Sequence, residues 1–398
     1  MATHSENRDI RWAAGDIRLY FMDNIRWLMI VFVVLMHLNV TYSTHGLWYY
    51  TEPSYTPLVS GLLFAIYGFF TQAYFMGLLF FIAGYFVPGS LDKKGTSQFI
   101  KNRLLRLGVP TLSYMLLIHP ITLFIVGAFQ HNNPSWLSWY IHYISSLEFL
   151  SSSGPLWFAL ALLVFSLVYA LLRHISFFPP IPAYLKQAKS IKNSWVICVM
   201  AIMAIVAFLI RLVQPAGVPL FNTLTGNFMQ IGFFSSYIIL FAVGIIFKRC
   251  NLLNKLSYTF GKRWLILTLI LGFPAWFGLI IGGNIVKNGA AFAGGFYWQA
   301  VASAIWESFF CVGVSLGIVA IFQHKYNTQG AVSKFLADNA FGVYVFHAPI
   351  VVAITMALRE FSLNPLVKMY AVAILVLPVC FAFSYFLRKI AWIKRFFS

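Results

Sequence analysis

Long apolar stretches separated by short polar and basic segments run through almost the whole chain. About ten of them are long enough for an α-helix to cross a hydrocarbon core of roughly 30 Å. The predicted spans are residues 24–43, 58–87, 107–128, 155–172, 194–213, 229–247, 265–282, 298–322, 340–358 and 366–386. The second span is long enough to tilt or break, and Gly77 and Gly84 in it would let other helices approach closely. The pattern predicts an all-α polytopic membrane protein, a bundle of about ten transmembrane helices.

The largest predicted segment between spans, residues 131–153, carries a cluster of aromatic residues. Its Trp136, Trp139, Tyr140 and Tyr143 are of the types that gather at the membrane–water boundary. We expect an interfacial or re-entrant element there.

Composition supports this class. Of the 398 residues, 60% are hydrophobic and only 10% charged, with a mean hydropathy of +0.80, whereas charged residues make up about 25% of a soluble domain. The four cysteines show neither metal-ligand spacing nor a paired framework, so we expect no metal site and no disulfide. Residues 1–23 lack the apolar core of a cleavable signal. We therefore expect a polar segment at 1–23, a transmembrane domain at 24–386 and a basic tail at 387–398.

Basic residues are distributed unevenly between the two faces. If the N-terminus is cytoplasmic, all but four of the 28 Lys and Arg residues fall on the cytoplasmic face, and the exceptions are Arg211, Lys287, Arg359 and Lys368. The positive-inside bias then predicts that both termini are cytoplasmic. Insertion topology and attraction to anionic membrane lipids explain most of the net charge of +18, so no nucleic-acid partner is expected.

Two ionisable residues, Arg26 and His37, lie in or at the edge of the first apolar span. Intramembrane ionisable groups are costly and favour a functional role. At about 1.5 Å per residue, His37 lies roughly 16 Å deeper than Arg26, near the middle of the bilayer. The alternative is a histidine that only hydrogen-bonds to a neighbouring helix.

The connection before the third span contains Lys101, Arg103 and Arg106. The two arginines are three residues apart and share a face of an α-helix, with Lys101 nearby. Guanidinium groups arranged in this way can bind phosphates bidentately. The alternative is an ordinary basic cluster at a helix end.

Several other polar or aromatic residues stand out in the apolar spans. Glu307, a carboxylate deep in a span, should pair with a cation or be protonated, as a site residue or a structural partner. Tyr344 and His347 share a helical face and favour a pore-lining role over simple packing. His119 precedes Pro120 and is expected to satisfy backbone groups that the proline frees. Trp157 fits an interfacial belt, a packing position or a pocket wall.

Four motifs together resemble the acyltransferase-3 family of prokaryotic integral membrane acyltransferases. They are Asp23-Asn24-Ile25-Arg26 leading to His37, the segment Phe80-Phe81-Ile82-Ala83-Gly84-Tyr85-Phe86, Arg103-x-x-Arg106-Leu107 ending in Pro110, and Gly154-Pro155-Leu156-Trp157-Phe158. The family pattern of an arginine, ten residues and a histidine is matched by Arg26 and His37. Its Arg-x-x-Arg pattern is matched by Arg103 and Arg106.

The resemblance implies that His37 is catalytic and that Arg26, Lys101, Arg103 and Arg106 bind the acyl donor. It implies O-acyl transfer, with acetyl or succinyl groups, to a hydroxyl of a cell-envelope carbohydrate, glucan or lipid-linked glycan in the bacterial inner membrane. The Gly-Pro-Leu-Trp-Phe form is similar to the glucan-modifying branch without a fused hydrolase-like domain. Tyr344, His347, Glu307 and Trp157 would line the pore or acceptor site. Acyl-CoA would be a substrate, no cofactor would be permanently bound, and envelope-biosynthesis proteins would be partners.

The charges of acyl-CoA favour this chemistry physically, because its phosphates cannot enter hydrocarbon unaided. Basic residues at the cytoplasmic mouth would hold the nucleotide while the thioester reaches His37. His37 would act as a general base or form an acyl-histidine, and the sequence does not choose between them. A secondary transporter is the other function considered, because Glu307, Arg211 and glycine-interrupted helices also fit one, although no inverted repeat is apparent.

Overall fold

In the part of the chain that the structure describes, ten helices are long and apolar enough to cross a membrane, and they form the fold. The computed structural model describes residues 18–52, 55–130, 135–177, 181–219 and 228–390, and these contain no strand. The helices are α1 (Tyr20–Ser43), α2 (Leu58–Lys94), α3 (Thr96–Phe129), α4 (Gly154–His174), α5 (Asn193–Val213), α6 (Ile231–Arg249), α7 (Tyr258–Gly282), α8 (Trp298–Lys325), α9 (Ala331–Ala357) and α10 (Pro365–Arg388). The predicted class and helix number are confirmed. Most of the predicted terminal segments, including residues 1–17 and 391–398, lies outside the described residues.

Four helices begin several residues earlier than hydropathy predicts. α1 begins at Tyr20, α3 at Thr96, α7 at Tyr258 and α9 at Ala331, whereas the predicted spans begin at 24, 107, 265 and 340. All four extensions lie on the face of the bundle where α1 begins, here called the first face. Hydropathy detects only the length inside hydrocarbon, and polar helical turns that continue beyond it are invisible to that measure.

α1 lies at the centre of the bundle and packs against α2, α8, α9 and α10. Its first-face end is fixed by Asn24, which is buried. The Asn24 amide donates to the carbonyls of Tyr326 and Thr328, and its oxygen accepts from Gln329 and Ser333. Because these partners lie in and after the connection between α8 and α9, the polar network sets the depth of α1 in the bundle.

The α2–α6 contact confirms the close approach predicted at the glycines of α2. A methyl group at Gly84 would overlap the backbone carbonyl of Phe241, and one at Gly244 would overlap that of Phe81. Gly77 likewise packs against Leu240 of α6. Small residues let two backbones meet, which increases packing where the bilayer itself supplies no hydrophobic driving force between helices.

The predicted interfacial element is a short helix, Trp136–Ser145, on the opposite or second face, although residues 131–134 lie outside the described residues. It covers a π-helical stretch of α3, Tyr114–Ile118. Tyr140 donates to the Leu116 carbonyl at 3.0 Å and Tyr143 donates to the Met115 carbonyl at 2.7 Å. Pro120 lacks the N–H that would reach Leu116 in an α-helix. The tyrosines therefore satisfy the freed carbonyls, and the role predicted for His119 is wrong.

Candidate active site

His37 lies on α1, six residues before the helix ends at Ser43. At about 1.5 Å per residue it is roughly 9 Å from that end and about 16 Å from Arg26. The predicted separation of the two residues holds, since one continuous helix carries both. His37 lies in the half of α1 nearer the second face, 17 residues after Tyr20 and 6 before Ser43.

Two aromatic rings contact the partly exposed imidazole of His37. Trp48, in the loop after α1, stacks on it with ring centroids 3.7 Å apart and planes within 16°. His347 of α9 lies 5.2 Å away with planes within 18°. The Trp48–His347 distance is only 6.1 Å, so the three centroids form a triangle rather than a column. Trp48 therefore covers one face of His37 while His347 lies beside the ring.

Hydrogen bonding determines the tautomer of His347. Its Nδ1 lies 2.8 Å from the carbonyl oxygen of Tyr344 and 3.2 Å from that of Val343. Carbonyl oxygens only accept, so Nδ1 carries the hydrogen and Nε2 presents a lone pair. That Nε2 is buried and has no hydrogen-bond partner among the described residues.

The same lack of partners extends through what we call the histidine cluster, made of His37, Trp48 and His347. Within the described part of the chain, His37 Nδ1, Trp48 Nε1 and His347 Nε2 are all buried without a hydrogen-bond partner. Buried polar atoms of native proteins are nearly always satisfied, and each exception needs an explanation. Three exceptions on neighbouring rings indicate a place where a polar ligand or water binds.

An ion pair fixes the loop that carries Trp48. Glu52 pairs with Lys368 of α10 at 2.6 Å, and both side chains are mostly buried, at 12% and 3% exposure. The Lys368 ammonium also donates to the Arg359 carbonyl, and the Glu52 N–H donates to the Thr41 carbonyl. The loop is thus tied to α1 and α10 just beyond Trp48, which limits how far the tryptophan can move from His37.

A second polar row lies beside the histidine cluster. The Tyr49 hydroxyl is 2.7 Å from His119 Nδ1 and 2.9 Å from the Tyr114 hydroxyl. Burial raises the pKa of Tyr49, so its phenol stays protonated. Gly154 has φ +48°, and a methyl group there would overlap both tyrosine hydroxyls. Glycine is therefore favoured at the first position of the Gly-Pro-Leu-Trp-Phe motif for two reasons. Its backbone is left-handed, and a side chain there would overlap the Tyr49 and Tyr114 hydroxyls.

The structure places Tyr344 and Trp157 in different surroundings from each other. The Tyr344 hydroxyl donates to the Pro155 carbonyl at 2.7 Å and accepts from the Ala159 N–H at 3.3 Å. Both bonds tie α9 to the start of α4, so the structure gives this hydroxyl a packing role. Trp157 packs against Tyr237 of α6, with ring centroids 5.3 Å apart.

Glu307 pairs with Arg211, which agrees with the prediction of a cationic partner. The Arg211 guanidinium binds both carboxylate oxygens and also donates to the Gly232 carbonyl at 3.0 Å. Arg211 is 1% exposed. The pair joins α5, α6 and α8, and Glu307 lines a small polar cavity with Gln72. Tyr237, against which Trp157 packs, receives a hydrogen bond from Gln72, so Trp157 and Glu307 belong to one cluster around Tyr237.

The basic residues predicted to bind a donor lie at the first face and are called the arginine cluster: Arg26, Lys101, Arg103 and Arg106. Arg26 pairs with Asp23 at 3.1 Å, and its guanidinium covers the Phe86 ring. Arg103 lies within electrostatic reach of Arg26 and Arg106.

The geometry of this cluster differs from the predicted one. A π-helical stretch, Leu104–Gly108, begins directly after Arg103. Its turn is wider than an α-helical turn, so Arg106 lies further around the axis from Arg103 than α-helical spacing predicts. Lys101 and Arg106 are exposed, and among the described residues no carboxylate pairs with Arg103 or Arg106. The cluster can therefore accept an external anion.

A family model described as an acyltransferase domain, that of the acyltransferase-3 family, matches residues 19–385. The match covers nearly the whole chain. The chain belongs to the acyltransferase-3 family. The protein is therefore a multi-pass membrane acyltransferase, and the predicted resemblance is confirmed. None of the curated proteins matches it.

The structure of this acyltransferase adds site residues that the sequence did not single out. Trp48 and Tyr49 lie in the aromatic run Trp48-Tyr49-Tyr50 directly after α1, which was the available signal. Tyr114 and the Glu52–Lys368 pair gave no comparable signal, because their partners are distant in the chain. The roles predicted for His37 and for the four basic residues stay predictions, since geometry places them without testing their chemistry.

Proposed function

We propose that this acyltransferase transfers an acyl group from cytoplasmic acyl-CoA to a hydroxyl group presented at the opposite face of the membrane. The observation that carries the proposal is the histidine cluster, where three neighbouring rings each leave one buried nitrogen without a partner among the described residues. A thioester carbonyl and an acceptor hydroxyl would supply the missing hydrogen bonds. His37 is the catalytic residue in this proposal.

The arginine cluster is the proposed binding site for the donor nucleotide. Arg103 and Arg106 carry charges that no described carboxylate neutralises, and charge-assisted hydrogen bonds to phosphate are strong. Arg26 is partly neutralised by Asp23, so it is expected to contribute less. With the nucleotide at the first face, the flexible pantetheine arm spans the roughly 16 Å along α1 to His37.

In the proposed reaction, the acceptor hydroxyl oxygen attacks the thioester carbonyl carbon while neutral His37 takes the hydroxyl proton. Trp48 Nε1–H, which can only donate, is available to the oxyanion that develops on the carbonyl oxygen. The carbon–sulfur bond then breaks, and the imidazolium returns its proton to the thiolate. The products are the acyl ester and free CoA thiol, so protons and electrons balance with no further reactant.

A covalent acyl-histidine is the competing route, in which His37 itself attacks the thioester. The two routes differ in one product. Without acceptor, the covalent route releases CoA and transfers the labelled acetyl group of [14C]acetyl-CoA to the protein. The general-base route leaves the protein unlabelled. We favour the general base, because one step then gives a partner to both His37, which takes the hydroxyl proton, and Trp48, which donates to the oxyanion.

The proposed acceptor is a carbohydrate, glucan or lipid-linked glycan of the bacterial cell envelope, and acetyl or succinyl is the proposed acyl group. The support is the position of the histidine cluster roughly 9 Å from the second-face end of α1. An acceptor too polar to enter hydrocarbon reaches that depth through a short polar opening. Location in the inner membrane and membership of the branch without a fused hydrolase-like domain belong to the same proposal.

Sided vesicles test the proposal. Sealed right-side-out vesicles with radiolabelled acetyl-CoA supplied only outside should be inactive, and the same vesicles loaded with it should transfer label to external acceptor glycan. Inverted vesicles are the matched control, and they should show the reverse requirement. Cysteines substituted at Ser97 and Ser135 should react with impermeant maleimide from opposite sides. Transfer from donor confined outside the right-side-out vesicles would overturn the proposed route.

The transporter considered from the sequence has less support. Arg211 and Glu307, two residues that favoured it, are occupied with each other, and the family is one of acyltransferases.

A further inference from the structure

A large apolar cavity lies in the first-face half of the bundle, away from the histidine cluster. Its volume is about 230 Å³. Walls come from α5, α6 and α8, including Val199, Val243 and Leu316, from Phe81 of α2, and from the segment before α5, including Leu185 and Ile191. Ser315 is its one lining residue with an aliphatic hydroxyl. A site this apolar suits a hydrocarbon chain and offers little to a nucleotide or sugar.

The cavity opens beside a group of unneutralised lysines. The segment that forms one wall carries Lys186, Lys189 and Lys192, all exposed. Within the described residues, no carboxylate pairs with any of the three. The sequence explains why, because no Asp or Glu occurs between Glu148 and Glu307.

The nearby acid, Asp92, and a nearby lysine in the turn after α6, Lys255, are already engaged. Asp92 at the end of α2 binds Arg249 at 2.6 Å and lies 3.8 Å from Arg173. Lys255 donates to the carbonyls of Lys186 and Cys250, which fastens the lysine segment to the end of α6. The segment that carries Lys186, Lys189 and Lys192 is therefore fixed in place as a wall of the cavity. Its lysine charges have no carboxylate partner among the described residues, so they can bind an anion.

We propose that the cavity binds one acyl chain of an anionic glycerophospholipid, whose phosphate is held by Lys186, Lys189 and Lys192. An apolar chain gains no hydrophobic free energy on moving from bilayer to cavity, since both surroundings are apolar. Selectivity therefore comes from the headgroup, and lysines near the membrane surface attract anionic lipids. The lipid fills the space between α5, α6 and α8. This site does not depend on the proposed transfer chemistry.

The expected ligand is a lipid rather than the acyl donor because of what surrounds the cavity. Cys198 lines it and is exposed on α5, which opens the cavity sideways among residues such as Ile197 that face the bilayer. The arginine cluster lies on α1 and α3, neither of which contributes to the lining. Occupancy by a lipid and by acyl-CoA should therefore be independent.

Native mass spectrometry of the purified protein tests the site with phosphatidylglycerol and phosphatidylcholine of identical chains. We expect phosphatidylglycerol to be retained at least about tenfold better. The variant Lys186→Gln/Lys189→Gln/Lys192→Gln should lose that preference, and Val199→Phe, which fills the cavity, should lower retention of both lipids. The matched control Lys262→Gln/Arg263→Gln/Lys334→Gln removes the same charge from exposed first-face positions and should keep the preference.

Cys198 gives a second readout, because the other three cysteines are buried. A fluorophore on Cys198 should be quenched by phosphatidylglycerol with brominated chains. Glycerol phosphate, which has no chain, should not protect the fluorophore from this quenching. Equal loss of preference in the lysine variant and its control would mean nonspecific surface attraction and would overturn the site. Displacement of the lipid by acetyl-CoA would reassign the cavity to the donor and would overturn it as well.

Discussion

The arginine cluster and the histidine cluster each take one residue from α1, Arg26 and His37, but are built in opposite ways. At the first face, Lys101 and Arg106 are exposed, and Arg103 is followed by a π-helical turn. Toward the second face, His347 is fully buried and His37 is stacked under Trp48. One cluster keeps charge accessible to water, and the other orders neutral rings in a place where charge is costly.

This difference matches two different tasks. A soluble, highly charged ligand needs accessible cations that can move to meet its phosphates. A proton transfer needs a base held within a few tenths of an ångström of its position, because small misplacements are costly to the rate. We therefore expect changes in the histidine cluster to lower the rate constant of transfer and changes in the arginine cluster to weaken donor binding.

The largest effect is expected for His37→Ala. Loss of a general base costs about 10²- to 10⁴-fold in rate, so transfer to acceptor should fall by that factor while the protein still inserts. His142→Ala, which alters a histidine with a side chain 70% exposed, is the matched control and should leave transfer unchanged. Product formation from radiolabelled acetyl-CoA measures both. Full turnover by His37→Ala would remove the catalytic role and, with it, the proposed comparison.

The next effect concerns the ion pair that holds the loop of Trp48. Lys368→Met leaves the Glu52 carboxylate buried without a partner, and breaking a buried pair in this way destabilises by about 3–5 kcal/mol. Thermal unfolding in detergent should show a lower midpoint. The double variant Glu52→Gln/Lys368→Met removes both charges and should recover most of the loss. A double variant as unstable as the single one would show that the pair is not what Lys368 contributes.

A smaller effect is expected for Arg103→Ala and Arg106→Ala. A hydrogen bond to a charged group contributes about 1.5–3 kcal/mol, so each change should raise the KM for acetyl-CoA roughly tenfold to hundredfold at low salt. The kcat should change little. Added salt should weaken donor binding by the wild type more than by the variants, because salt screens the interaction that they have already lost. Arg263→Ala, exposed on the same face, is the control.

The smallest effect on donor binding is expected for Trp48→Phe, which keeps an aromatic ring on His37 and removes the indole N–H. Aromatic pairs contribute about 0.5–1.5 kcal/mol beyond their burial, so stacking is largely preserved while the proposed oxyanion donor is lost. The kcat should fall, and the KM for acetyl-CoA should stay near that of the wild type. An increase in KM without a fall in kcat would place Trp48 with donor binding and blur the distinction between the clusters.

The candidate site was predictable where its signal was local. Arg26 and His37 stand out because an ionisable residue in an apolar run is energetically costly and favours a functional role. Their separation along the helix axis follows from helix geometry alone. Glu307 stood out in the same way, and of the two states predicted for it, pairing with a cation or protonation, the structure shows the pairing. The particular partner, Arg211, was not predictable, since 96 residues separate the two along the chain.

His119 shows where a local interpretation fails. Its position before Pro120 suggested that it satisfies backbone groups freed by the proline, and such groups do exist. Tyr140 and Tyr143 of the interfacial helix satisfy them instead, which leaves His119 to bind Tyr49. For the Met115 carbonyl the candidates are His119, four positions away, and Tyr143, 28 positions away, and only packing decides between them.

By itself, the sequence determined the membrane class, the ten helices and the depth of His37 relative to Arg26. These properties depend on hydropathy and on the rise per residue, which are local. Tertiary structure alone decided that Trp48 stacks on His37, that His347 lies beside them with a free Nε2, and that Lys368 holds Glu52. Each of these contacts joins residues from different elements, and the direction in which helices face one another is set by packing in the whole bundle.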